Sequence, residues 1–270
     1  MPMQMELQEM QPPGTWCTDW AFLRAVDESG ARNFLEVGCG EGRVAGELVD
    51  LGLWGYGIDP SAEAVRRCRL RLAVPLASRR FRLFHGTLQE FEPEHPVDLV
   101  YSQMVLEHVA DDLALVRDMI RCVRPDGTVI AVVPARPERW GPEDDLSGHL
   151  RRYDRESLTL LFRAAGLKDI EIKSLNVPVS NVLRRLSEQA VGEGLAERSD
   201  LDTAHRTELS GLRDVPYKNR FPAWCRLVLN RTVMWPFCQL QRAFFGSDRG
   251  LVLMATGRVT AAVAHWQESA

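Results

Sequence analysis

Apolar residues along this chain come in short runs separated by segments of helical spacing. Phe34, Leu35 and Val37 form the first run, and the positions from Val44 to Leu51 follow a helical period, which predicts a strand, a tight turn and a helix. The pairing then repeats. Tyr56 to Ile58 predicts a second strand, and Pro60-Ser61 opens a helix carrying Glu63, Val65 and Cys68 towards Val74-Pro75. Phe81 to Phe84 and Val97 to Tyr101 predict the third and fourth strands, Val109 to Cys122 an amphipathic helix, and Thr128 to Pro134 a strand buried by composition. Pro125 and Gly127 mark the turn before that strand, and Ala135 to His149, with Pro137, Gly141 and Pro142, predicts a loop. Arg155 to Ala165 predicts a helix, Lys168 to Lys173 a strand, and Leu251 to Arg258 a final, antiparallel edge strand. Alternating strands and helices predict an α/β fold.

The first strand ends in Gly38-x-Gly40-x-Gly42, and the second ends in Asp59. Glycines let the backbone turn sharply and approach a ligand whose space a Cβ would fill. A carboxylate at the end of the second strand can accept hydrogen bonds from ribose hydroxyls, so the unit predicts a nucleoside-bearing ligand. The spacing departs from G-x-G-x-x-G, and Glu36 would repel a pyrophosphate but suits the amino group of an amino-acid ligand.

With Glu36-x-Gly38-x-Gly40-x-Gly42 and the later Asp59, the chain resembles the class I S-adenosylmethionine-dependent methyltransferases. The segment Asp98 to Val109, D-L-V-x-x-x-x-V-L-E-H-V, is similar to the fourth motif of those related to quinone-biosynthesis enzymes. Arg121 to Gly127 is close to their R-x-L-K-P-G-G element, with Asp126 in place of a glycine. Gly148-His149-Leu150-Arg151-Arg152-Tyr153-Asp154 resembles the segment that faces the acceptor in many small-molecule methyltransferases. The resemblance implies a Rossmann-like, seven-stranded, mostly parallel sheet with helices on both faces, to which residues 176–246, departing from a minimal member of the family, add a helical lid inserted before the last strand. It divides the chain into a cap (1–30), a cofactor-binding core (31–175), an insertion (176–246) and a segment completing the core (247–270).

The same resemblance implies S-adenosyl-L-methionine as cofactor, held by Glu36, Gly38, Cys39, Gly40, Gly42, Asp59, Pro60, Gly86, Thr87, Leu88, Ser102, Gln103, Val105 and His108. Thr87 stands where the family usually has an adenine-binding Asp, which shifts adenine recognition towards backbone groups such as the Leu88 amide. His149 is the first choice for a general base, with Tyr153 and Arg152 or Arg151 orienting the acceptor; alternatively His149 and Tyr153 only staple the loop to the next helix. The reaction expected is methylation, foremost O-methylation, of a small-molecule, lipid-like or glycan acceptor. A nicotinamide-dependent oxidoreductase and a methyltransferase-like subunit without turnover are the rivals.

Composition narrows this little. The chain has 270 residues, 45% hydrophobic and 26% charged, enough for one large α/β domain. A net charge of -4, and the absence of a D/N-P-P-Y/F segment after the fourth strand, point away from nucleic acid. Six cysteines without a C-x-x-C pair or a local Cys/His cluster predict neither a disulfide framework nor a metal site. Met1 to Thr15 lacks the apolar core of a signal peptide, and no apolar run is long enough to span a bilayer, so a cytoplasmic protein is expected. Trp16, Trp20, Phe22 and Leu23 predict a short helix that caps the cofactor or packs on the sheet. Helical patches are expected at Asn181 to Val191 and Arg220 to Phe245, the second broken by Pro222 and Pro236. Its mixed aromatics and arginines suit a lid, a dimer interface or a peripheral membrane contact through 220–245.

Overall fold

The computed structural model describes residues 7–9, 12–178, 220–222, 227 and 230–260. Its centre is a seven-stranded sheet built from β2 (Asn33–Val37), β3 (Trp54–Asp59), β4 (Phe81–His85), β5 (Val97–Gln103), β6 (Val123–Pro134), β7 (Lys168–Leu175) and β9 (Val252–Arg258). The order is β4-β3-β2-β5-β6-β9-β7; β9 runs antiparallel to both its neighbours, and the other pairings are parallel. A separate ribbon pairs β1 (Leu7–Glu9) with β8 (Arg220–Pro222).

The two-residue period of the strands sorts their side chains between two cores. Leu35, Val37, Val100, Leu253 and Ala255 join one core with residues of α5 (Asp112–Arg121) and α7 (Arg155–Ala164). Phe34, Leu99, Tyr101, Val252 and Met254 face the other, with α1 (Pro13–Ser29), α2 (Arg43–Asp50) and α3 (Ala62–Arg71). Phe22 of α1 lies 4.7 Å from Tyr101, ring centre to ring centre, and so fixes α1 on the sheet. Helix starts are capped as their sequences allow. The Ser61 hydroxyl accepts from Ala64 N, the Asp111 carboxylate from Ala114 N, and the Asp154 carboxylate from Ser157 N.

Several elements differ from the sequence expectation. β9 does not form an edge: it inserts between β6 and β7, where both of its faces are covered, so its apolar run is that of a central strand. β6 begins at Val123 rather than Thr128, because Val123 pairs with Val97 before a register shift accommodates the exposed turn at Arg124–Asp126. The segment from Ala135 to His149 contains α6 (Pro142–Ser147), opened by a proline in its first turn and stopped by Gly148 at φ 72°.

Within residues 176–246, Arg220–Pro222 is strand rather than helix. Helix α8 (Arg231–Leu240) runs through Pro236, with Asn230 capping its first amides. Met234 and Cys238 of α8 pack on Cys17 of α1. Val233, Trp235, Phe237 and Leu240 are exposed. The expected helix from Asn181 to Val191 lies outside the described residues. No helix among the described residues is long and apolar enough to cross a membrane.

Candidate active site

The sheet order reverses between β2 and β5, and there the carboxyl ends of the parallel strands leave a crevice. The glycine turn follows β2, Asp59 ends β3, Gly86 follows β4, Ser102 and Gln103 close β5, and the chain from Ala135 to His149 leaves β6. The fold therefore brings the sequence-predicted residues to one rim.

Gly38, Gly40 and Gly42 have φ of 72°, 53° and 75°, the left-handed conformation that disfavours a Cβ. Space is also closed at two of them, though by protein rather than ligand. A Cβ on Gly38 would lie 2.5 Å from Val105 Cγ2, and one on Gly42 2.5 Å from Cys68 Sγ. These two glycines are thus required for packing the turn, a correction to the expectation that a ligand would fill their Cβ space. Cys39 points inward: its Sγ lies in the core, and its N–H, like that of Gly38, donates to Ile58 O at 2.9 Å.

Asp59 is 8% exposed, and its carboxylate organises the turn: Oδ2 accepts from Gly40 N at 2.8 Å and Oδ1 from Ser61 N at 2.9 Å. Each carboxylate oxygen has two lone pairs, so a nucleoside hydroxyl can share it with the backbone donor. Glu36 sits beneath the turn and accepts from Ala45 N at 3.1 Å, with its negative charge at the start of α2. Arg43, the first residue of α2, makes paired bonds of 2.6 and 2.8 Å to Asp19 of α1, tying that helix to the turn. No sequence pattern marks this pair, whose members lie 24 residues apart.

After β4, Thr87 is engaged within its own turn: its N–H and its hydroxyl both donate to Glu90 Oε2. Pro60 contributes its carbonyl to a 3.1 Å contact with His85 Nε2. At the end of β5, Ser102 Oγ and Gln103 Nε2 are buried without a hydrogen-bond partner. Buried polar groups are nearly always paired in folded proteins, so two orphans beside Asp59 and the glycine turn fit a polar ligand in the crevice.

Beyond β5 the chain assembles a second polar corner. His149 donates from Nδ1 to Asp144 Oδ1 at 2.7 Å, and Asp144, fully buried, also accepts from Arg152 Nε at 2.6 Å and Gly141 N at 2.8 Å. Burial opposes ionisation of Asp144, but the bonds from His149, Arg152 and Gly141 outweigh it and hold the carboxyl at about 2. His108 stacks edge-on against His149, ring centres 4.9 Å apart, and its Nδ1 is 3.3 Å from Gly148 O. Burial and the neighbouring His149 push the His108 pKa down to about 4, so its imidazole is neutral. Beside them lies Glu107, fully buried, with neither carboxylate oxygen hydrogen-bonded. Burial raises its pKa to about 8 against the pull of Arg152.

A family model described as a methyltransferase domain matches residues 9–172, more than half of the chain. The chain belongs to this methyltransferase family. A probable S-adenosylmethionine-dependent methyltransferase of Mycolicibacterium smegmatis is 30% identical over 152 residues, 54% of this chain and 56% of that protein. The ubiquinone biosynthesis O-methyltransferase of Sodalis glossinidius is 34% identical over 113 residues, 40% of this chain and 44% of that one. The chain thus spans about half the length of the curated relatives it matches. Phosphoethanolamine N-methyltransferase 2 of Haemonchus contortus, solved with S-adenosyl-L-methionine, superposes with a TM-score of 0.55 at 17% identity, over 93% of this chain and 54% of that one. At such identity it shows a shared methyltransferase fold.

Within this methyltransferase fold, two predicted catalytic residues hold the loop. Tyr153 is buried and its hydroxyl donates to Asp112 Oδ2 at 2.8 Å and Leu106 O at 3.2 Å. Arg152 binds Asp144 and Ala135 O, and Arg151 binds Asp112 and Ala110 O. These contacts tie the loop to its surroundings. Asp144 and Glu107, which stand at this corner, are not among the residues expected from the sequence. The available signal was an acidic residue five positions before His149 in a turn bounded by Pro142 and Gly148.

Proposed function

We propose that the protein is an S-adenosylmethionine-dependent methyltransferase that methylates an oxygen of a small-molecule acceptor. S-adenosyl-L-methionine, when bound, supplies an electrophilic methyl group on a sulfonium. Asp59 holds the ribose hydroxyls, Glu36 and the turn at Gly38–Gly42 hold the amino-acid end, and Gly86, Thr87 and Leu88 border the adenine. Ser102, Gln103 and Val105 line the reacting end, where alignment and exclusion of water do most of the work.

An oxygen nucleophile must lose its proton, and the observation that carries the reading is the corner at His149, whose imidazole is held by the buried Asp144 at 2.7 Å. His149 is the residue on which acceptor activation depends, while Arg152 and Tyr153 fix its loop. The relatedness to ubiquinone-biosynthesis O-methyltransferases supports an oxygen acceptor. A ring-bearing, lipid-like or glycan alcohol all meet this chemistry, and the exposed apolar residues of α8 suit an acceptor delivered from a lipid surface.

Calorimetry with S-adenosylmethionine tests the cofactor site. Asp59→Ala should weaken binding roughly 10- to 150-fold, the loss of hydrogen bonds to a charged acceptor. Unchanged affinity would overturn the ribose assignment. Transfer of labelled methyl to a panel of phenols, lipid alcohols and amines tests the rest. Label on amines alone removes the O-methyl reading, and binding without transfer to any acceptor favours a subunit without turnover.

A further inference from the structure

The sequence carries no local Cys/His ligand cluster, yet the fold gathers one carboxylate and two imidazoles from separate segments. Glu107 and His108 come from the turn after β5, and His149 from the segment after α6. One ligand atom from each lies within 4.8 Å of the others, and no ion is present. We propose that Glu107, His108 and His149 bind a divalent first-row transition-metal ion, such as zinc, cobalt or manganese, that receives the acceptor's hydroxyl oxygen.

Two observations carry this beyond proximity. The first is Glu107 itself: its carboxylate is fully buried, and neither oxygen has a hydrogen-bond partner. A buried carboxylate without donors is costly, and a cation supplies the missing counter-charge. The second is the orientation of both imidazoles. His149 Nδ1 donates to the Asp144 carboxylate and His108 Nδ1 to the Gly148 carbonyl, acceptors that call for the proton on Nδ1 of each ring rather than on Nε2. A carboxylate or carbonyl behind the non-ligating nitrogen is the usual support of a metal-bound histidine. Two imidazoles and one carboxylate suit borderline transition ions better than magnesium or calcium, which favour all-oxygen sites.

Three protein ligands leave a coordination position open. An alcohol bound there loses its proton to water; its oxygen then forms the new C–O bond as the methyl–sulfur bond breaks and the sulfonium becomes a neutral thioether. His149 then serves as ligand, and the ion rather than the imidazole itself activates the hydroxyl. The inference thus rests on the proposed methyl transfer and deepens it.

The test uses the full chain, stripped with a chelator and titrated with cobalt(II) by calorimetry and visible absorption, in parallel with S-adenosylmethionine. One ion per chain is expected, with d–d bands, and with affinity reduced at least ~100-fold in Glu107→Gln and His149→Gln. Asp144→Asn should weaken the ion roughly 10- to 100-fold. Circular dichroism and S-adenosylmethionine affinity show that each variant is folded. No ion uptake by the wild type, or uptake unchanged in folded Glu107→Gln and His149→Gln, overturns the inference. The cobalt titration decides the ion site alone, and the S-adenosylmethionine titration decides the cofactor reading alone.

Discussion

His149 Nδ1 and Asp144 Oδ1 lie 2.7 Å apart across the end of α6, and this contact sets which nitrogen of His149 faces the crevice. His149→Gln should therefore lower the methyl-transfer rate by about 10²- to 10⁴-fold, the usual worth of a group that handles a proton, while S-adenosylmethionine affinity stays the same. Asp144→Asn should also slow transfer and should cost about 3–5 kcal/mol of stability, because it leaves Arg152 without its buried carboxylate. Steady-state kinetics and denaturant melts separate the two, and full activity in His149→Gln would remove the residue from the mechanism.

Gly38 and Val105 fit only because one of them lacks a side chain. Gly38→Ala places a methyl 2.5 Å from Val105 Cγ2 and forces alanine into φ 72°, so a loss of about 1–3 kcal/mol is expected. Val105→Ala in the same chain should restore the part due to the clash and leave the part due to the backbone. Additive losses in urea unfolding of the single and double variants would show that no such contact limits the turn.

Tyr153 distinguishes a holding role from an acceptor-binding one. Tyr153→Phe removes the bonds to Asp112 and Leu106, and should cost about 1–3 kcal/mol with kcat nearly unchanged. A large fall in kcat at intact stability would return the hydroxyl to the acceptor site.

Asp98 joins the entry of β2 to β5 and β6. Its carboxylate accepts from Arg32 N and Asn33 N and pairs with Arg124. Burial pushes its pKa up, but the Arg124 pair and the two backbone donors outweigh this and hold it below the ordinary aspartate value of 3.8. The folded state then binds this proton less readily than the unfolded chain. The stabilisation is present in full above the ordinary value and is lost as pH falls through the lowered one. Asp98→Asn should accordingly be less stable than wild type at neutral pH, with the gap closing as pH falls below the ordinary aspartate value of 3.8; a constant gap would assign the effect to something other than ionisation.

Much of this protein is written locally. The apolar runs and the glycine spacing determined the strand–turn–helix units, the mostly parallel α/β sheet and the placement of Glu36, Gly40, Asp59 and Ser102 on one rim, because backbone sterics and two-residue alternation act within a few residues. Tertiary structure alone decided that β9 lies inside the sheet, since an apolar run does not say which neighbours will cover it. It decided too that Gly38 and Gly42 are crowded by Val105 and Cys68, and that Arg43 pairs with Asp19. The meeting of Glu107, His108 and His149 belongs with these, because their proximity comes from packing two loops above the sheet, and no periodicity encodes a contact between residues forty positions apart.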